Sequence, residues 1–209
     1  MKVGILGGTF DPIHIGHLIV AEEARTSLGL QEVLFVPAGQ PWLKRDRDVS
    51  PAVQRVEMVR RAIGDNPSFR LSVIEVERSG PSYTVDTLNT LREEMGSEAS
   101  FFFMLGRDAL AELHLWKEPQ TLIQLCRLVV LPRHVRGDAA ASALEELRHL
   151  ETAIPGLLDR VIELDMPVIG ISSSVIRQRV SEDLSIRYLV PRGVAAYIAE
   201  EKMYRPAAE

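Results

Sequence analysis

The sequence has little thiol chemistry to offer: one cysteine among 209 residues excludes an internal disulfide, and with it a fold stapled by cross-links. A chain of this length needs no staple, because it can bury about 70% of the surface its unfolded form exposes. Long apolar runs are missing too. Nothing approaches the roughly 18 residues of a membrane span, so no membrane partner is expected. The opening residues lack a cationic stretch followed by an apolar one, so no secretory signal is expected either. The cytoplasm is the expected compartment, and Cys126, inside the apolar stretch Leu122 to Leu131, reads as a buried thiol acting as a small hydrophobe. Positive charge is not in surplus: the formal net charge is −5, which argues against nucleic acid as a partner. Internal repeats, low-complexity tracts, a G-x-G-x-x-G fingerprint and a Walker loop are all absent. Any site for anions must therefore be local.

What is present is alternation. Short apolar runs at Lys2 to Leu6, Glu32 to Val36, Ser100 to Leu105, Arg127 to Leu131 and Val161 to Leu164 read as strands, and Arg70 to Val76 alternates like another. Between them, helical spacing runs from Gly16 to Leu28, from the Ser50-Pro51 start through Ile63, from Thr84 to Met95 and from Ala143 to Leu150. At Ser50-Pro51 the serine is expected to cap the helix and the proline to occupy its first turn. The run Phe101-Phe102-Phe103-Met104-Leu105 is too continuous for a one-sided sheet and implies cover on both faces. This order predicts an α/β, doubly wound parallel sheet of the Rossmann-like kind. Residues 1–209 are read as one domain: a core to about 165, then a small helical extension from about 171, with helices over Ser172 to Val180 and Pro191 to Met203. Gly39 to Val49 and Arg133 to Ala143 are expected to be surface loops.

The string Gly7-Gly8-Thr9-Phe10-Asp11-Pro12-Ile13-His14-Ile15-Gly16-His17 follows the first strand, where open α/β sheets bind their ligands. Two glycines let backbone approach a ligand, and the amides around Gly8, Thr9 and Phe10 can face phosphate oxygens. His14 and His17, three residues apart, share one side of a helix start and can donate hydrogen bonds as charge develops on a phosphate. Asp11, before a proline, reads as a turn former. A second anion site is expected at Ile171-Ser172-Ser173-Ser174-Val175-Ile176-Arg177. Ser172 can cap that helix, the amides of Ser173 and Ser174 face outward, and Arg177 reaches back to the same end. Arg179, two positions on, reads as a solvated charge.

The first string resembles the H-x-G-H signature of the nucleotidyltransferase superfamily, and the second its I-S-S-S/T-x-I-R signature. Gly80-Pro81-Ser82-Tyr83-Thr84, Gly106-Arg107-Asp108 and Trp116 resemble the nicotinate mononucleotide adenylyltransferase family in particular, over nearly the whole chain. The resemblance implies that Tyr83, Thr84 and Trp116 enclose the pyridine ring, which suits their flat polarisable faces. It implies that Asp108 binds the adenosine ribose. One segment departs from the family: Pro-Pro-His-Lys is replaced by Gln40-Pro41-Trp42-Leu43-Lys44. Lys44 is matched to the lysine that meets ATP phosphates as a point charge, with Arg45 and Arg47 as alternative cations.

The implied reaction moves AMP from ATP to nicotinate mononucleotide, giving nicotinate adenine dinucleotide and pyrophosphate in NAD biosynthesis. His14 and His17 would hold the α- and β-phosphates, and Lys44 and Arg177 the departing pyrophosphate. The ATP site would comprise Gly7, Gly8, Thr9, Phe10, Gly106, Asp108, Ile171, Ser172, Ser173 and Ser174. No dedicated metal cage is read, and Mg2+ is expected to arrive with ATP. A homo-oligomer is neither required nor excluded. The alternatives are another adenylyl- or cytidylyltransferase, such as phosphopantetheine adenylyltransferase, or a nucleotide sensor without catalysis. A class I aminoacyl-tRNA synthetase fails, because there is no room for its second catalytic loop and tRNA-binding domains.

Overall fold

Six apolar runs pair in parallel with their neighbours to make one sheet. They are β1 (Lys2–Gly8), β2 (Glu32–Pro37), β3 (Phe69–Leu71), β4 (Ser100–Gly106), β5 (Cys126–Leu131) and β6 (Val161–Glu163), in spatial order β3-β2-β1-β4-β5-β6. The computed structural model describes residues 1–40, 49–131, 139–167 and 169–205. In the register, Val3 faces Glu32 of β2 on one side and Phe101 of β4 on the other. The helices are α1 (Ile15–Leu28), α2 (Ala52–Ile63), α3 (Ile74–Glu77), α4 (Thr84–Met95), α5 (Arg107–Ala111), α6 (Pro119–Leu125), α7 (Ala139–Ala153), α8 (Ser173–Ser181) and α9 (Arg192–Glu200).

Alternation along β4 divides the core. Phe102 and Met104 join Phe35, Met58, Ile176 and Ile198 on one face, and Phe101, Phe103 and Leu105 join Leu88, Leu122 and Leu147 on the other. Each such side chain contributes about 1.5–3 kcal/mol on leaving water, which is why a run apolar on both faces belongs at the sheet's centre. The C-terminal helices α8 and α9 share the first face with α2, where Arg61 stacks on Tyr197 and pairs with Glu200 at 3.0 Å. Gly29 ends α1 in the left-handed region at φ 62°, where a side chain would be strained. Cys126 opens β5 and is buried, which pushes its thiol up to about 12. No helix among the described residues is long and apolar enough to cross a membrane.

Four local expectations are corrected. The strand over Arg70 to Val76 is only three residues of β3, followed by the helical turn α3; an edge strand with one neighbour has little ladder to sustain it. Ser50 does not cap α2: Pro51 stands at the cap position rather than in the first turn, with no side-chain cap, which leaves Ser50 one residue too early; its amide donates to the Asp11 carboxylate. α7 begins at Ala139 rather than Ala143, because Ala139 to Ala141 are strong helix formers that apolar periodicity overlooks. The expected Arg133 to Ala143 loop is shortened accordingly, and its residues 133–138 lie outside the described ones, as does most of the Gly39 to Val49 loop. Arg179 is no free solvated charge: its Nε donates to the Ser185 carbonyl at 2.8 Å and closes the turn after α8.

Candidate active site

Strand order reverses between β1 and β4, so the chain leaves their carboxyl ends in opposite directions and a crevice opens there. It has two connected halves. One, about 360 Å³, is lined by Gly7, Gly8, Thr9, Thr84, Gly106 and Trp116; the other, about 510 Å³, by His14, Asp108, Ile171, Ser172 and Ser173. His17 and Gly106 line both. A larger cavity of about 670 Å³ lies at the opposite, amino-terminal edge of the sheet, among Lys2, Arg92, Arg127 and Arg160, and contains none of the motifs.

The turn after β1 arranges the histidines through an uncommon backbone. Phe10 has φ 52°, a region bulky residues seldom adopt, and the turn places its buried ring edge-on to His17, with centroids 5.1 Å apart. The His14 amide donates to His17 Nδ1 at 3.1 Å. Because Nδ1 accepts, neutral His17 carries its proton on Nε2, a donor on the wall shared by both half-cavities. His14 stacks on His17 with centroids 3.7 Å apart, and burial lowers its pKa to about 4. Two imidazolium rings at that spacing would repel, and burial keeps the His14 ring of the pair neutral near pH 7. His14 Nδ1 is buried without a partner among the described residues.

The two serine- and histidine-bearing strings meet. Ser173 Oγ donates to the Pro12 carbonyl at 2.9 Å, and Arg177 donates to the Asp11 carbonyl at 2.7 Å. Ser172 caps α8 by accepting from the Val175 amide at 3.3 Å, and its hydroxyl lies 3.1 Å from that of Ser174. Asp11 does more than shape a turn. Its carboxylate accepts from the Ser50 amide at 3.2 Å and from the Tyr204 hydroxyl at 2.6 Å, joining segments far apart in sequence. Burial and that aspartate both push the Tyr204 pKa up. Beneath the turn, Arg55, 2% exposed, donates to the carbonyls of Ser50, Thr9 and Gly39 at 2.9, 2.9 and 3.3 Å.

On the other side of the crevice, Tyr83 precedes α4 and Thr84 opens it. Thr84 and Trp116 line the smaller half; Tyr83 is not among its lining residues, and its ring lies 5.1 Å from Lys117 Nζ. Trp116 meets Phe103 edge-on, and its Nε1 is buried without a partner among the described residues. Asp108 sits in the first turn of α5, directly after Gly106 at the end of β4. Lys44, Arg45 and Arg47 lie outside the described residues. Among the described residues no group of three or more His, Cys, Asp or Glu is placed to hold a metal ion.

Sequence reasoning missed Arg55, Glu75, Ser82 and Tyr204. Arg55 left a faint signal, a charge on the face of α2 that buries Val56, Met58 and Val59. Ser82 lies inside the Gly80 to Thr84 segment but drew no role of its own, and Glu75 and Tyr204 left no signal, since nothing local marks a polar residue as buried.

Comparison with known proteins gives concordant results. The cytidylyltransferase-like family matches residues 5–179. The "Probable nicotinate-nucleotide adenylyltransferase" of Dehalococcoides mccartyi strain CBDB1 is 46% identical over 204 residues, covering 98% of this chain and 97% of the relative. The protein of the same name from Thermomicrobium roseum is 44% identical, covering 98% of this chain and 92% of the relative. Among solved structures, Plasmodium falciparum nicotinic acid mononucleotide adenylyltransferase complexed with NaAD superposes with a TM-score of 0.74, covering 97% of each chain. At 21% identity that likeness speaks for the fold alone.

Proposed function

The chain belongs to the nicotinate-nucleotide adenylyltransferase family, among the cytidylyltransferase-like nucleotidyltransferases, and from that premise we propose how its crevice acts. It is an enzyme that joins AMP from ATP to the phosphate of nicotinate mononucleotide, releasing pyrophosphate, a step of NAD biosynthesis. The observation that carries the assignment of roles is the meeting of the two phosphate-type strings, through Ser173 on Pro12 and Arg177 on Asp11, around cavities that share His17.

In this reading ATP lies in the larger half, with Asp108 on its ribose and the start of α8 at its phosphates, where outward amides and the helix dipole favour anions, while Gly7, Gly8 and Thr9, expected on ATP, line the smaller half and Phe10 lines neither. The mononucleotide takes the smaller half, beside Trp116 and Thr84. Its phosphate is already an anion near neutral pH, so no general base is needed. An oxygen of that phosphate attacks the α-phosphorus in line while the bond to the β-phosphate oxygen breaks and its electrons leave with pyrophosphate. His17 Nε2–H donates to the oxygens on which charge grows, and His14 stacks behind it. Donors held in place before the reaction stabilise its transition state without reorganisation, a contribution typically of about 10²–10³ in rate per donor.

ATP is taken to arrive as its magnesium complex. The donor set fits that arrangement: Asp11, the nearest carboxylate, is already committed to Ser50 and Tyr204, so the phosphates and water would ligate the ion. Both substrates are intracellular metabolites, and the proposal places the enzyme in the cytoplasm. The test is pyrophosphate release from ATP and magnesium with nicotinate mononucleotide, nicotinamide mononucleotide or phosphopantetheine as acceptor. A preference of at least about tenfold for the nicotinate compound, or about 1.4 kcal/mol, is expected; release only with phosphopantetheine would overturn the assignment.

A further inference from the structure

A buried carboxyl that the transfer mechanism does not use stands in the wall of the smaller half-cavity. Glu75, in α3, is 9% exposed and lines that cavity with Ser82 and Thr87. Thr87 Oγ1 donates to Glu75 Oε1 at 2.8 Å, and the neighbouring Ser82 side chain counters the upward push that burial gives the same carboxyl. Ser82 Oγ in turn accepts from the amides of Gly39 and Gln40 at 3.0 and 3.1 Å, while the Ser82 amide donates to the Gln40 carbonyl at 3.0 Å. Packing here leaves no slack, for a Cβ on Gly39 would lie 2.0 Å from the Glu75 carbonyl oxygen.

The Gly39 carbonyl accepts from Arg55, whose other nitrogens hold Thr9 and Ser50. From α4, beside the mononucleotide side, a hydrogen bond reaches Glu75, which lies beside Ser82, and hydrogen bonds then run from Ser82 through Gly39 and Arg55 to Thr9 in the phosphate turn. Isolated buried carboxyls are costly, and burial pushes the Glu75 pKa up. An apolar residue would fill the space at less cost. Arg78 attracts the carboxyl from a distance but makes no direct bond to it: its nitrogens go to Thr87, Thr90 and the Asp86 carbonyl, so it meets Glu75 only through the Thr87 hydroxyl.

We propose that Glu75 is a positioning residue of the transfer reaction: acting through Ser82, it locks the turn before α4 to Gly39 and Arg55, so that the mononucleotide and ATP halves of the crevice are set relative to one another. This rests on the transfer reading above. Glu75 sits on the mononucleotide side, so a direct contact alone would change only the affinity for that substrate. A linking role changes both.

The test is steady-state kinetics of Glu75→Ala, Glu75→Gln, Ser82→Ala and the double variant Glu75→Ala with Ser82→Ala, alongside hydrogen exchange of the Gly39 and Gln40 amides in ligand-free protein. Glu75→Ala is expected to raise KM for ATP as well as for the mononucleotide, each by about tenfold, as an unsatisfied buried hydroxyl loosens the link. Glu75→Gln, which keeps an acceptor for Thr87 and Ser82, recovers most of the loss. The double variant is no worse than the poorer single one, because the two residues act in series. Exchange at Gly39 and Gln40 quickens in Glu75→Ala and in Ser82→Ala. Unchanged KM for ATP, losses that multiply in the double variant, or unaltered exchange would overturn the proposal. If Glu75→Ala does not fold, Ser82→Ala and the exchange rates still decide it. Failure of the wild-type protein to make dinucleotide would instead sink the transfer reading and leave the exchange result to judge the link.

Discussion

Among single residues, His17 and His14 do different work despite their shared string. His17→Ala removes a donor at the reacting phosphates and should lower kcat by about 10²–10³. It also leaves the His14 amide without its Nδ1 acceptor, worth about 1 kcal/mol, so the thermal midpoint should fall by only about 2–4 °C. A midpoint drop of tens of degrees with normal specific activity of the folded fraction would contradict the role. His14 carries a pH signature. Its folded pKa of about 4 lies below the ordinary 6.5, so the unfolded chain binds the proton more tightly, and His14 favours folding above pH 6.5. That contribution fades as pH falls toward 4, by about 2.5 kcal/mol at pH 4.5. Denaturant titrations at pH 7.5 and 4.5 should show His14→Phe losing less stability over this interval than wild type, by about that amount. The histidines and serines were legible because each is flanked by neighbours that fix its setting. Arg55 and Glu75 were not, since their partners come from 16 to 46 residues away or sit on another helix.

At the level of elements, β4 and α4 could be read almost residue for residue, as a doubly apolar run and a cleanly periodic segment. β3 and α3 could not, because three edge residues and one helical turn owe their shape to neighbours rather than to propensity. α8 shows how a correctly read helix can still carry an incomplete role: Arg177 spends one nitrogen on the turn after β1 and lines neither half of the crevice, so its proposed hold on phosphate would use the remaining nitrogens. Arg177→Met should therefore raise KM for ATP by at least about tenfold, a loss of about 1.4 kcal/mol in binding, and also loosen the turn. Arg177→Lys should recover little, because a point charge cannot serve a carbonyl and a phosphate together. Kinetics with ATP varied at saturating mononucleotide would check both. Gly39→Ala belongs here as well. Its Cβ would press on the backbone of α3, and overpacking of that kind costs about 1–3 kcal/mol, readable as a lowered denaturation midpoint.

For the molecule as a whole, the doubly wound parallel sheet followed from the β-α alternation, whereas the meeting of segments far apart in sequence did not. Tyr204 reaches Asp11 across 193 residues, a pairing that no local pattern announces. Tyr204→Phe should leave that carboxylate short of a donor and cost about 1.5–3 kcal/mol, lowering the thermal midpoint by several degrees. Activity of the folded fraction should drop with it, because the same aspartate's carbonyl receives Arg177. A variant as stable and active as wild type would show the contact to be idle. The contact also bears on synthesis. Asp11 leaves the ribosome 193 residues before Tyr204, so the turn after β1 is made long before this support arrives. Until then, however much of the sheet has formed, the Asp11 carboxylate goes without one of its two donors.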